Sequence, residues 1–292
     1  MRTVLLAFLA FALHAQQRAG NPYPPVLEGA KEEVYKRAGD VTLKLWIFSP
    51  ANHNANAKKP AIVFFFGGGW TGGSPGQFQQ HAKMLAERGM VAITADYRVA
   101  SRHQVKVADC IRDAKSAIRY VRANAARLGI DPNRIAAGGG SAGGHLAAAT
   151  GVVEGFDEPK EDSKVNSRPN ALVLFNPALV LAESVEAGID AAAEQKLAPR
   201  FGAAPREVSP FHQMKKRPPP TIIFHGKADT TVPYRTAEAF VARCEALGGK
   251  CELAGYDGQQ HGFFNHGRGG NEYYEKTTAR MIEFLQSSGY LK

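Results

Sequence analysis

From residue 62 to residue 287 the chain repeats one rhythm: a short apolar run with little polar alternation, then a longer stretch with apolar residues at helical spacing. The runs fall at 62–66, 91–95, 135–137, 171–175, 221–224 and 251–256, and the helical stretches at 77–88, 105–128, 142–151, 234–247 and 271–287. Unbroken apolarity in a strand means that both of its faces are covered. Strands that alternate with helices build a parallel sheet wrapped by helices. The expectation is therefore an α/β fold with a mostly parallel central sheet and helices on both faces. Residues 41–48 instead alternate apolar and polar side chains, which predicts an edge strand with one wet face. The 292 residues fit one domain of this class, expected over 41–292 behind an extension at 16–40. With 44% hydrophobic and 22% charged residues, the composition excludes a disordered, collagen-like or coiled-coil chain.

In such sheets ligands bind just outside the carboxyl ends of the strands, so the residues after each apolar run come first. After the run ending at Ala137 stands Gly139-Gly140-Ser141-Ala142-Gly143, which opens the helical stretch through His145 and Leu146. A serine on so tight a strand-to-helix turn needs neighbours without side chains, and a helix start favours developing negative charge. No Lys-Ser or Lys-Thr follows, which argues against a nucleotide-binding loop. After the run 62–66 come Gly67-Gly68-Gly69-Trp70, and three successive glycines let backbone N–H groups reach a small anion unobstructed.

A serine nucleophile needs a base, and the base an orienting carboxylate. Of the nine histidines, His261 lies in Gly258-Gln259-Gln260-His261-Gly262, after the last strand and ahead of the final helix, and is the expected base. His225 stands four residues before the best carboxylate, His266 lies farther from the strand end, and His145 sits inside a helical stretch. The expected acid is Asp229, just beyond the run 221–224. Asp257 is its rival, but a loop of four residues to His261 would have to double back. Asp96, Asp109 and Asp113 are expected in structural ion pairs.

The segment Gly140-Ser141-Ala142-Gly143-Gly144-His145-Leu146 resembles the nucleophile elbow of the α/β-hydrolases. It is similar to that of the hormone-sensitive-lipase-like and acetyl-xylan-esterase-like (BD-FAE-like) carboxylesterases, and the likeness runs over most of the chain from about residue 41. The resemblance implies an α/β-hydrolase fold with a small lid, a catalytic domain at 41–292 and a Ser141, Asp229, His261 triad in the family's chain order. It also implies an oxyanion hole from the N–H groups of Gly68, Gly69 and Ala142, in a loop where Phe66 stands in place of the family's His. The activity implied is that of a serine carboxylesterase with no cofactor and no metal, acting on a small-molecule or saccharide ester with a short, acetyl-type acyl group. Metal-ligand spacings such as HExxH or paired CxxC are absent from the sequence. Residues 153–169 and 182–219 are the least regular and are expected as loops and short helices over the site, and for Trp70 and Tyr97 stacking on a sugar and a structural role stand equally open. A serine peptidase of prolyl-oligopeptidase type and a non-catalytic binding protein on the same fold are the alternatives. The first usually carries a large extra domain, and the second has commonly lost a triad member.

Residues 1–15 put Arg2 ahead of an apolar run at 4–13 and a small residue, Ala15, at its end, the pattern of a signal peptide; a secreted or periplasmic protein is expected. That run is too short to span a bilayer, and no other stretch approaches the ~20 apolar residues a span needs. Thirty-six Lys and Arg against 27 Asp and Glu give +9, but the densest basic run is only Lys215-Lys216-Arg217, a solvated loop rather than a nucleic-acid surface. Cys244 and Cys251 flank a Gly248-Gly249 turn, so a disulfide between them is geometrically possible in an oxidising compartment, and the sequence leaves it open. Cys110, in an apolar helix face, is expected as a buried thiol.

Overall fold

The computed structural model describes residues 23–292, so the expected leader at 1–15 and its cleavage point lie outside the described residues. Its elements run β1 (Lys31–Ala38), β2 (Val41–Phe48), β3 (Lys59–Phe65), α1 (Gln79–Glu87), β4 (Val91–Ala95), α2 (Ala100–His103), α3 (Val107–Ala123), β5 (Ile130–Gly140) and α4 (Ala142–Val152). There follow β6 (Ala171–Phe175), α5 (Ala191–Leu197), α6 (Pro205–Val208), α7 (Pro210–Gln213), β7 (Thr221–Gly226), α8 (Tyr234–Ala246), β8 (Cys251–Tyr256) and α9 (Glu272–Ser287). One sheet takes all the strands in the order β1-β2-β4-β3-β5-β6-β7-β8. The β1–β2 and β2–β4 pairs are antiparallel and the rest parallel, as expected of this fold class.

The unalternated runs are explained by the two cores they separate. In β3, Ala61, Val63 and Phe65 face the helices α3, α4 and α8, where Ile111, Ile118, Leu146 and Phe240 pack. Ile62 and Phe64 face α1 and α9, against Leu85, Met281, Phe284 and Leu285. Both faces of the strand are dry, and each fully buried side chain of this kind contributes about 1.5–3 kcal/mol.

Three expectations are corrected. The sheet's edge is β1, not the strand at 41–48, and it lies within residues read as an extension. Its sequence KEEVYKRA hides it, because charge on an edge strand guards against pairing with other chains, and a bulge between Val34 and Lys36 breaks the alternation. The helix expected at 105–128 ends at Ala123, where the Asn124 side chain donates to the Tyr120 carbonyl and the chain turns into β5 through Gly129 at φ 63°. Residues 153–169 do not lie over the strand exits. They join the end of α4 to the start of β6, at the amino ends of the strands, and dock on α3 through Arg119, which binds Glu161 (2.6 Å) and the Val165 carbonyl (2.9 Å). Irregular composition marks a loop, but only the topology says at which end of the sheet it lies.

Cys244 and Cys251 are joined in a disulfide between α8 and β8. Cys110 is buried, and burial pushes its thiol well up from its ordinary value. Among the described residues no helix is long and apolar enough to cross a membrane.

Candidate active site

Ser141 sits between β5 and α4 with φ 54° and ψ −118°, a conformation that costs a side-chain-bearing residue about 1–3 kcal/mol. The strain is held by packing. A Cβ on Gly143 would collide with the Phe65 carbonyl, and one on Gly139 with the backbone of Gly143, so β5, α4 and β3 approach this closely only because those positions are glycine. The Ser141 N–H donates to the Phe175 carbonyl (2.9 Å), and its own carbonyl accepts from the His145 N–H (2.9 Å). The hydroxyl is thereby lifted above the strand ends, half-buried.

The loop after β8 brings His261 to it. His261 Nε2 is 2.9 Å from Ser141 Oγ and Nδ1 is 2.7 Å from Asp229 Oδ2. With the proton on Nδ1 donated to the carboxylate, Nε2 is free to accept the serine hydroxyl. Asp229, after β7, is buried, and its Oδ1 accepts the Thr231 and Val232 N–H groups at 2.8 and 2.9 Å. Burial opposes its ionisation, but hydrogen bonding from His225, His261 and the Val232 amide outweighs it and holds the carboxyl well below the usual carboxylate range. The rival Asp257 is exposed and pairs with Lys227 at 2.9 Å.

His225 lies on the same carboxylate, its Nε2 3.4 Å from Asp229 Oδ2 and 2.9 Å from the Val232 carbonyl, to which it donates. His145 accepts from Trp70 Nε1 (3.1 Å) and donates to the Val208 carbonyl (2.8 Å); burial brings it down to about 4, so it packs as a neutral ring. His266 lies edge-on to Tyr274.

The glycine loop after β3 turns beside Ser141. Gly68 and Gly69 take φ 121° and 62°, and a Cβ on Gly68 would collide with the Gly72 carbonyl. Their N–H groups have no partner among the described residues, and the Ala142 N–H, first in α4, has no carbonyl a turn behind it. Phe66 is buried and stacks on Tyr97 with ring centroids 4.1 Å apart, while the Tyr97 hydroxyl donates to the Phe66 carbonyl at 2.8 Å. An aromatic stack thus anchors the loop at its first residue. Trp70 and Tyr97 are both buried, so of the two roles left open the structural one holds; their polar atoms are spent on His145 and Phe66.

Asp113 pairs with Arg98 and Lys36 at 2.8 Å each, and Asp109 with Arg112 at 2.7 Å, as expected. Asp96 differs: among the described residues it has no ion pair, and accepts instead from the Tyr23 hydroxyl and the Tyr97 N–H, with burial raising it to about 6.

Sequence reading passed over two supports. Asn176, immediately after β6, accepts the Gly262 N–H at 2.9 Å, and its place at a strand exit was the signal. Gln77 accepts the Gly67 N–H at 2.6 Å and donates to Asn265 Oδ1 at 2.9 Å, and Asn265 donates to the Gly262 carbonyl at 2.8 Å. That strut ties the glycine loop to the histidine loop, and no local pattern announces it. Among the described residues no group of three or more His, Cys, Asp or Glu is placed to hold a metal ion.

The BD-FAE family model matches residues 45–244. Among solved structures, the apo form of esterase 2 of Thermogutta terrifontis is 50% identical, covering 93% of this chain and 99% of that one with a TM-score of 0.89. Its propionate-bound form is 51% identical, covering 92% and 98% with a TM-score of 0.88. Esterase LipC of Mycobacterium tuberculosis is 31% identical over 232 residues, 70% of this chain and 53% of that protein. The chain spans about half the length of the curated relatives it matches. On the matched residues and on the fold, the chain belongs to the BD-FAE family, among the esterases of the α/β-hydrolase superfamily.

Proposed function

We propose that the protein is an exported serine carboxylesterase that cleaves short-chain, acetyl-type esters through Ser141, His261 and Asp229. The observation that carries the reading is the relay of 2.9 and 2.7 Å from Ser141 Oγ through the imidazole to the buried carboxylate. His261 Nε2 takes the hydroxyl proton as Oγ attacks the ester carbonyl, and Asp229 stabilises the imidazolium that forms. The carbonyl oxygen, now an oxyanion, accepts from the N–H groups of Gly68, Gly69 and Ala142, each worth roughly 3–4 kcal/mol in the transition state. The imidazolium returns its proton to the departing alcohol, leaving an acyl group on Ser141. Water, deprotonated by His261, attacks that acyl group, and the acid leaves as the proton goes back to Oγ.

Propionate and butyrate are bound in solved forms of the Thermogutta esterase 2, which supports a small acyl group here. Acetylated saccharides are included as substrates of the same bond type. The disulfide supports an oxidising compartment, consistent with an exported protein. The test is a chain-length series of p-nitrophenyl esters with wild type and Ser141→Ala: acetate to butyrate are turned over by wild type alone. Equal hydrolysis by both proteins would remove the nucleophile, and a rate still rising at octanoate would remove the short-chain preference.

A further inference from the structure

The turn Ala198–Arg200 follows α5 in the segment that leaves β6. Its backbone is pinned on both sides of Arg200. Lys106 Nζ donates to the Pro199 carbonyl at 2.8 Å, the Ala108 N–H donates to the Phe201 carbonyl at 2.9 Å, and the buried Phe201 ring meets Trp70 edge-on. Trp70 is the residue next to Gly69, so this turn rides on the glycine loop.

Arg200 is exposed, and its Nη1 stands 3.8 Å from where a Cβ on Gly69 would be. Other cations on the loops after the strands are occupied. Arg102 lies over the Tyr23 ring and donates to the Gly73 carbonyl, Lys106 holds Pro199, and Arg268 donates to the His261 carbonyl. The nearby lid acids are likewise engaged: Asp190 caps α5 through the Ala193 N–H, Glu194 accepts from the Glu183 N–H and Glu207 from the Ala204 N–H. Arg200 has no hydrogen-bond or ion-pair partner among the described residues, and it stands beside Gly69, one of the residues proposed to hold the reacting carbonyl oxygen.

We infer that Arg200 is a specificity-determining residue that binds a carboxylate carried by the ester substrate. The inference rests on the esterase reading above and adds to it the charge class of the substrate. A guanidinium presents a planar pair of donors that matches a carboxylate, and a lysine in its place would supply only a point charge. A substrate whose carbonyl oxygen sits on Gly69 would bring a substituent toward Arg200, and the excess of Lys and Arg over Asp and Glu adds a longer-range pull on an anionic ester. The carboxylate can belong to the acyl half or to the alcohol half of the ester.

Two matched pairs separate those sources. Monomethyl succinate against methyl butyrate places the charge on the acyl side, and 4-acetoxybenzoate against its methyl ester places it on the alcohol side. In at least one pair, wild type favours the anionic ester in kcat/KM by about fivefold or more at low ionic strength, the scale of one well-formed exposed ion pair. Arg200→Gln brings that ratio close to its value in high salt, and Arg200→Lys keeps part of it. An anionic-to-neutral ratio that Arg200→Gln leaves unchanged, or no preference by wild type in either pair, overturns the inference while the esterase reading stands. No turnover of any of the four esters by wild type would overturn both.

Discussion

Gln77 and Asn265, 188 positions apart in the chain, meet in a 2.9 Å hydrogen bond that links the glycine loop to the histidine loop. Through it the Gly67 N–H on one side and the Gly262 carbonyl on the other belong to one polar chain, so the loop proposed to hold an oxyanion and the loop carrying His261 share a single strut. Gln77→Ala is expected to lower kcat for p-nitrophenyl acetate by about tenfold, with a smaller change in KM, because the loops lose their register and not their substrate contacts. Gln77→Glu keeps an acceptor for Gly67 but loses the donor to Asn265, so it does not restore the rate. Steady-state kinetics on variants matched by circular dichroism check this, and a change confined to KM would contradict it.

In the proposed relay, Asp229→Asn removes the charge that steadies the imidazolium and frees the ring to take the wrong tautomer. A fall in kcat of about 10⁴ at neutral pH is expected. The sign of the accompanying stability effect follows from the depressed carboxyl. A carboxyl that ionises more readily folded than unfolded stabilises the fold above the ordinary value near ~4 and loses that contribution as pH falls through the folded value. The stability gap between wild type and Asp229→Asn therefore narrows as the pH drops below about 4, which urea titrations at several pH values measure.

His81 is fully buried in α1 among Phe64, Phe78, Phe175, Phe264 and Tyr274, with both ring nitrogens unpartnered among the described residues. Burial, with a smaller contribution from His266, brings it down from 6.5 to about 3. The unfolded chain takes up this proton below about pH 6.5 and the folded chain does not, so stability present above 6.5 drains away as pH falls toward 3. At pH 5 the loss from this ring is about 2 kcal/mol. His81→Phe is expected to flatten the stability profile between pH 6.5 and 4, and identical profiles for the two proteins would refute the role given to His81.

The disulfide closes a short loop between α8 and β8, remote from Ser141 along the chain. Replacing Cys244 and Cys251 together by Ser is expected to cost about 2 kcal/mol, mainly by freeing the unfolded chain. Thermal melts check the stability, and p-nitrophenyl acetate turnover at 25 °C is expected to persist.

What could be read ahead of the structure was whatever local chemistry dictates. The dry strands from residue 62 onward announced the parallel sheet because both faces of β3, β5, β6 and β7 demand apolar side chains. Ser141, Asp229 and His261 each stand at a strand exit, and the structure brings the three together. The rest depended on partners distant in sequence. β1 reads as a charged extension until Lys36 is seen between Asp113 and Glu158. Trp70 and Tyr97 fit a ligand platform and a structural role equally until their burial against His145 and Phe66 is known. Gln77 is one glutamine among several until Asn265 arrives beside it.

The role of Ser141 as nucleophile is tested most directly by treating the protein with a fluorophosphonate and mapping the adduct by peptide mass spectrometry. One phosphonyl group on Ser141, formed at the rate at which p-nitrophenyl acetate hydrolysis disappears, is the predicted result. Complete labelling of another residue, or full hydrolysis by protein whose Ser141 is blocked, would contradict it.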